Sequence, residues 1–220
     1  MAPMPSESDM QAAATAPATS HAPAGPPTST TKVLLLTGPS GSGKSRLAER
    51  LGLPSINLDD FYHDHDHPDM PRRFGIVDWD SPASWNSAEA FAALSSLVTT
   101  GRCDIPIYDI STSRRTGMAH ADITGAPLFI AEGIFAAQLI EDARQAGILA
   151  DALCIKRPRL QTFFFRLMRD LAESRKPPLT LVRRGLGLMR DEPGQVAAWI
   201  EQGCTPVSIN QAVQRVADLS

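Results

Sequence analysis

The chain has 220 residues, 43% hydrophobic and 20% charged, which is room for one domain of ordinary size with a sizeable core. A net charge of −3 excludes a surface built throughout as a glove for nucleic acid, and no apolar run reaches the roughly 20 residues of a membrane helix. Cys103, Cys154 and Cys204 lie far apart with no C-x-x-C, so neither a disulfide scaffold nor a zinc ribbon is indicated. Reduced thiols without a catalytic role, in a cytoplasmic protein, are the expectation.

Residues 1–31 are mostly Ala, Pro, Ser and Thr, with Glu7 and Asp9 the only formally charged side chains. So little bulky apolar surface cannot offset the entropy of ordering, and no basic start precedes an apolar stretch. The segment reads as a disordered tail rather than a secretory signal, with the domain occupying 32–220. Order begins at Val33-Leu34-Leu35-Leu36, a continuous apolar run suited to a strand buried on both faces of a parallel sheet. A glycine-rich loop follows, then a helix over 45–51 stopped by Gly52. A short strand over 55–58 runs into Asp59-Asp60, and 60–82 reads as a long polar loop.

Asn86 and Glu89 predict a capping box for a helix with Phe91, Leu94, Leu97 and Val98 inward, ending at Gly101. An edge strand is expected over 105–110, a polar turn over 111–117 and a buried strand over 127–131 ending at Glu132-Gly133. A helix over 136–146 stops at Gly147, and 152–155 is the next strand. Strands alternating with helices imply an α/β fold, a three-layer sandwich with a mostly parallel sheet and helices on both faces. Beyond it, Leu160, Phe163, Phe164, Leu167, Met168 and Leu171 form one helical apolar stripe, read as core packing, with Pro177-Pro178 ending that helix.

Gly38-Pro39-Ser40-Gly41-Ser42-Gly43-Lys44-Ser45 matches the phosphate-binding pattern G-x-x-x-x-G-K-[ST] in full. Small residues let successive backbone N–H groups turn inward around a di- or triphosphate. Lys44 supplies charge for the β- and γ-phosphates and the Ser45 hydroxyl a ligand for Mg²⁺, while the following helix adds its N-terminal dipole. The position between a buried strand and a helix is the context the pattern needs. Asp59 and Glu132 sit at strand ends like Gly38, so three loops should converge on one crevice. A carboxylate there holds Mg²⁺ or accepts a proton from an attacking hydroxyl; taken singly, each reads as well as a cap or a surface acid.

From Lys156 to Arg190 there are ten Lys/Arg and two acids, Asp170 and Glu173. Arg159, Arg166 and Arg169 lie away from the apolar stripe, and Arg175 and Lys176 follow. Such charge suits a mobile element over a transferring phosphoryl group, or else a solvated face or weak nucleic-acid patch. His63, His65 and His67 alternate with Asp64 and Asp66; without fixed geometry this favours a solvated loop over a metal site.

In order from about Lys32 to Lys176, the chain resembles the uridine kinase family, a branch of the phosphate-loop kinases that includes phosphoribulokinase and bacterial pantothenate kinase. The resemblance rests on the phosphate loop; Leu58-Asp59-Asp60-Phe61-Tyr62, similar to D-S-F-Y; and Asp80-Ser81-Pro82 with Trp85, similar to D-H-P-x-x-F. It continues through Ile105-Pro106-Ile107-Tyr108-Asp109 (I-P-x-Y-D), Ile130-Ala131-Glu132-Gly133-Ile134 (x-x-E-G-I) and Arg166-Leu167-Met168-Arg169-Asp170 (R-x-x-R-D). It implies a P-loop kinase with a helical lid over about 157–190, using ATP and Mg²⁺ to phosphorylate a small hydroxylated acceptor, with a pyrimidine nucleoside first. Asp59 would be the base and a neighbour of Mg²⁺, with Ser45 and Glu132 on the metal side. Asp80 and Tyr108 would face the acceptor, and Arg166 and Arg169 would come from the lid, Arg166 reaching the acceptor too.

Three departures stand out. Ser113-Arg114-Arg115 replaces the family's base-reading H-S-R, Ser174-Arg175-Lys176-Pro177 replaces R-G-R-D, and a final strand is hard to find around Val207. A kinase of another small metabolite would keep Asp59 and lose that histidine. The competing class is a switch NTPase acting on a protein or RNA partner, in which Asp80 and Tyr108 have no evident task. The sequence admits a homo-oligomer.

Overall fold

The computed structural model describes residues 30–73, 75–158, 161, 162, 164, 168 and 178–219, with the backbone alone for 73 and 178–189. Most of the expected tail, and Arg166, Arg169, Arg175 and Lys176 of the expected lid, lie outside the described residues.

The hydrophobic run forms β1 (Lys32–Thr37), flanked in sequence by α1 (Lys44–Leu51) and β2 (Ser55–Asn57). The chain then runs through a small ribbon, β3 (Arg72–Arg73) with β4 (Ile76–Val77), to α2 (Ser87–Thr100). A hairpin of β5 (Arg102–Asp109) and β6 (Arg114–Asp122) precedes β7 (Leu128–Glu132), α3 (Ile140–Gln145) and β8 (Leu149–Ile155). Helix α4 (Pro178–Glu201), strand β9 (Thr205–Val207) and helix α5 (Ile209–Ala217) complete it.

Five strands pair in the order β2-β7-β1-β8-β9, every pair parallel. The alternation of β1 shows why both faces are covered. Val33 and Leu35 pack into one core with Leu94 and Leu97 of α2 and Ile140 of α3, while Leu34 and Leu36 pack into another with Leu47 of α1 and Val216 of α5. A strand whose side chains are apolar on both sides must be sandwiched. The result is a three-layer α/β sandwich, and its loops leave the carboxyl ends of β1, β2, β7 and β8 along one edge.

Several local expectations hold for the stated reasons. The Asn86 side chain accepts the Glu89 N–H at 3.1 Å, and Gly52, Gly101 and Gly147 take positive φ at helix or turn ends. The return leg of the capping box differs, because Asn86 Nδ2 donates to Glu89 Oε2 at 2.9 Å and that carboxylate faces Arg115. The expected helix over 136–146 opens as a 3-10 turn, Ala136–Leu139, before α3.

Other expectations are corrected. The strand expected over 105–110 is not an edge of the main sheet; among the described residues it pairs with β6 in a separate two-stranded sheet. The expected turn over 111–117 is confined to 110–113, and Arg114–Asp122 is strand. A final strand exists at Thr205–Val207, its Val207 paired with Ile155. Of the apolar stripe, Phe164 and Met168 are more than half exposed, so at those positions it is not core packing; Leu160, Phe163, Leu167 and Leu171 lie outside the described residues. Pro178 is the first described residue of α4, and the end of the preceding helix, expected at Pro177-Pro178, lies outside the described residues.

Candidate active site

The phosphate loop leaves β1 at Thr37 and enters α1 at Lys44. Gly41 and Gly43 have φ of 84° and 92°, which side chains rarely permit, and this turns the backbone between strand and helix. A Cβ on Gly38 would meet Ser42 Oγ at 2.9 Å and the Ile155 carbonyl oxygen at 3.0 Å, so the loop closes on itself only with glycine there. Gly43 caps α1 without a side-chain hydrogen bond, which leaves the first-turn N–H groups for an anion. Lys44, only 8% exposed, folds back so that Nζ donates to the Gly38 carbonyl at 2.8 Å. Ser42 Oγ is buried with no hydrogen-bond partner among the described residues. These features fit a polyphosphate: a cradle that a Cβ would fill, uncapped amides and an orphaned hydroxyl.

The carboxylates reach this cradle through strand register. Glu132 ends β7, which lies between β1 and β2, and it pairs with Leu36 on one side and Asn57 on the other. Two residues past β2, Asp59 sits in a 3-10 turn, Leu58–Phe61, whose backbone is gripped from several sides. Asn57 Oδ1 accepts the Asp59 N–H at 3.1 Å, Trp85 Nε1 donates to the Leu58 carbonyl at 2.6 Å, and the Asn86 N–H reaches the Phe61 carbonyl at 3.0 Å. Gly133 packs beneath, where a Cβ would be 2.9 Å from Leu58 Cβ and 3.1 Å from Asp59 Oδ1. Ser40, Gly41, Gly43, Lys44, Ser45, Asp59 and Glu132 then line one cleft of about 500 Å³ with Ile110, Ile134 and Arg157. Trp85→Phe should lower stability by about 1–3 kcal/mol, measured by urea unfolding, because the buried Leu58 carbonyl loses its donor.

The expected acceptor residues stand apart from that lining. Asp80 is exposed in a turn, its N–H on Asp78 Oδ1 at 3.3 Å. Tyr108 belongs to an aromatic group, 5.8 Å from Tyr62 and 6.3 Å from Trp79 between ring centres, with Tyr62 edge-on to Trp79 at 5.5 Å. Its hydroxyl donates to the His63 carbonyl at 3.2 Å, and burial pushes its pKa up to about 12, so the phenol stays protonated. His63 and His67 stack at 4.3 Å, while His65 N–H bonds the Ser113 carbonyl at 3.1 Å. No group of three or more His, Cys, Asp or Glu side chains that could hold a metal occurs among the described residues. Cys154 and Cys204 are buried free thiols with pKa pushed up by that burial to about 11 and about 12.

Arg157 escaped the sequence reading as an individual residue. It follows β8 as Gly38 follows β1, and its guanidinium nitrogen lies 3.2 Å from where a Gly43 Cβ would be. The same strand-end argument could have found it. Asp60 was passed over beside Asp59; it faces away toward the hairpin, accepts the Tyr108 N–H at 3.3 Å, and burial raises its pKa.

No family model matches the chain, and no curated protein matches it in sequence. Among solved structures it is similar to a protein described as a fructose transport system kinase from Silicibacter sp. TM1040, with TM-score 0.57 and 19% identity over 80% of this chain and 88% of that one. It is also similar to a protein described as a possible uridine kinase from Bacillus stearothermophilus, with TM-score 0.46 and 18% identity over 65% and 80%. A third is phosphoribulokinase from Rhodobacter spheroides, with TM-score 0.48 and 15% identity over 77% and 68%. The first of these shares the fold of this chain, an α/β sandwich with a parallel five-stranded sheet.

Proposed function

We propose that the protein transfers the γ-phosphoryl group of ATP to a hydroxyl of a small molecule, with a pyrimidine nucleoside first among acceptors. The observation that carries this is the juxtaposition of Asp59 with Lys44 and Ser45 in one cleft. A switch protein needs the cradle; a carboxylate carried beside it on a turn whose backbone is fixed is what an attacking alcohol needs.

In this reading the amides of 40–45 and Lys44 hold the β- and γ-phosphates. Asp59 orients the acceptor hydroxyl and takes its proton as the new O–P bond forms and ADP leaves. The backbone bonds that grip the 58–61 turn fix that geometry in advance, and most of the rate comes from such positioning and from charge stabilisation. The cleft offers only hard oxygen donors, the Ser45 hydroxyl with Asp59 and Glu132, which suits Mg²⁺, an ion usually held by one or two carboxylates plus phosphates and water. When bound, Mg²⁺ would neutralise charge on the phosphates. Arg166 and Arg169 are proposed to add positive charge from the lid. The aromatic group of Tyr62, Trp79 and Tyr108 is proposed to receive a planar base, with Asp80 proposed for its sugar. Drawing on ATP, the enzyme would work in the cytoplasm.

ADP release is measured with ATP alone and then with nucleosides and other small alcohols. Release that depends on an added nucleoside supports the reading; a different alcohol redirects the acceptor assignment, and indifference to every acceptor selects the switch. Arg157→Gln should weaken ATP binding about tenfold or more by calorimetry, as expected for losing a charged hydrogen bond.

A further inference from the structure

We propose that Arg115, held by Glu89, is a positioning residue for the acceptor: together with Asp60, Asp64 and Asp66 it fastens the β5–β6 hairpin as a fixed roof beside Asp59. This rests on the kinase reading. The hairpin pairs with no strand of the main sheet, and a lone two-stranded hairpin is marginal in water, so its place must be set by other contacts.

Cys103, Ile105 and Ala121 seat it on the main core, and polar bonds join it to residues 60–66 and to Glu89 of α2. Asp60 accepts the Tyr108 N–H at 3.3 Å, Asp64 accepts the Arg115 N–H at 2.8 Å, and Asp66 takes Arg114 Nη2 at 2.6 Å. Arg115 also donates through Nε to the Tyr62 carbonyl at 3.3 Å and through Nη1 and Nη2 to both Glu89 oxygens at 2.9 and 2.6 Å. The Arg115–Glu89 pair is bidentate and its side chains are about one-third exposed, whereas Arg114 and Asp66 are about half exposed. The sheltered, two-point pair is therefore the stronger fastening.

Residues 60–66 run straight on from the turn that carries Asp59. Tying the hairpin to them fixes roof and base to each other, and α2 anchors both through Glu89. At the hairpin tip, Ile110 lines the same cleft as Lys44 and Asp59, so an acceptor approaching Asp59 passes beneath it. The alternating Asp and His residues thereby gain a role: the acids at 64 and 66 are partners for hairpin backbone and arginine.

The test uses the full chain with Glu89→Gln, Arg115→Gln and both together, and Arg115→Lys in case Arg115→Gln fails to fold. Amide hydrogen exchange is followed without acceptor, and the KM for acceptor and the ATP affinity are followed with it. Expected are about tenfold faster exchange confined to 104–118, acceptor KM raised about tenfold, ATP affinity unchanged, and a double variant no worse than the worse single one. Unchanged exchange in the hairpin would overturn the fastening, and so would faster exchange that spreads through β1 and β7. Faster hairpin exchange with unaltered acceptor KM would overturn the positioning role. A wild-type protein that phosphorylates no acceptor defeats the kinase reading instead, and the exchange alone then decides the fastening.

Discussion

Asp59→Asn is expected to lower turnover by about 10²–10⁴-fold, the usual contribution of a positioned general base, while ATP affinity is essentially unchanged. Asparagine keeps the size of the side chain and its place above Gly133. The turn around it is held by backbone bonds that the substitution leaves alone: the Asn57 side chain on the Asp59 N–H, and Trp85 on the Leu58 carbonyl. The phosphate cradle is built from amides of 38–45 and from Lys44. The capacity to take a proton disappears together with one negative charge, and Ser45 and Glu132 stay in the cleft on the metal side. Single-turnover kinetics beside nucleotide binding measure the two effects separately. An equal loss of turnover and ATP affinity would show that Asp59 serves the nucleotide and its metal rather than the acceptor.

That such a separation can be drawn at all reflects which features a sequence displays. β1 and β7 were legible because strands covered on both faces must be apolar throughout, and Val33–Leu36 and Leu128–Ala131 are. The phosphate loop was legible because its backbone needs glycine at fixed intervals. With those placed, strand-end logic put Asp59 and Glu132 near the cradle, and both line the cleft. β6 was not legible: Arg114–Asp122 has one face to solvent, and its half-buried positions are Arg115, Ala119 and Ala121, too polar or too small to mark an apolar period. β9 is three residues long and contains Pro206, which is tolerated at a sheet edge and reads in sequence as a turn. Long-range pairing hid the rest. Nothing local in Glu89 announces a partner 26 residues away in Arg115, and the Glu89 side chain looked like half of a capping box.

Gly133→Ala is expected to lower turnover by about 10²-fold, although residue 133 bears no chemical group, because displacement of a reacting group by a fraction of an ångström is enough. The added Cβ would lie 2.9 Å from Leu58 Cβ and 3.1 Å from Asp59 Oδ1, and φ at Gly133 is not positive, so the effect is steric rather than torsional. Relief has to come from one of the three. Leu58 is fully buried, with its carbonyl held by Trp85 Nε1. Gly133 is fastened to the end of β1 by its N–H on the Leu36 carbonyl at 3.2 Å. The Asp59 carboxylate, at the edge of an open cleft, is the group with room to yield, and it yields away from the place the acceptor hydroxyl needs. Stability should fall by about 1–3 kcal/mol, as for an overpacked core, and ATP affinity should hold. Gly194→Ala in α4 is the control: a Cβ there meets nothing within 4 Å, and the change should leave turnover intact while stabilising the helix by about 1 kcal/mol. Full turnover in Gly133→Ala would mean that phosphoryl transfer does not depend on where Asp59 is held.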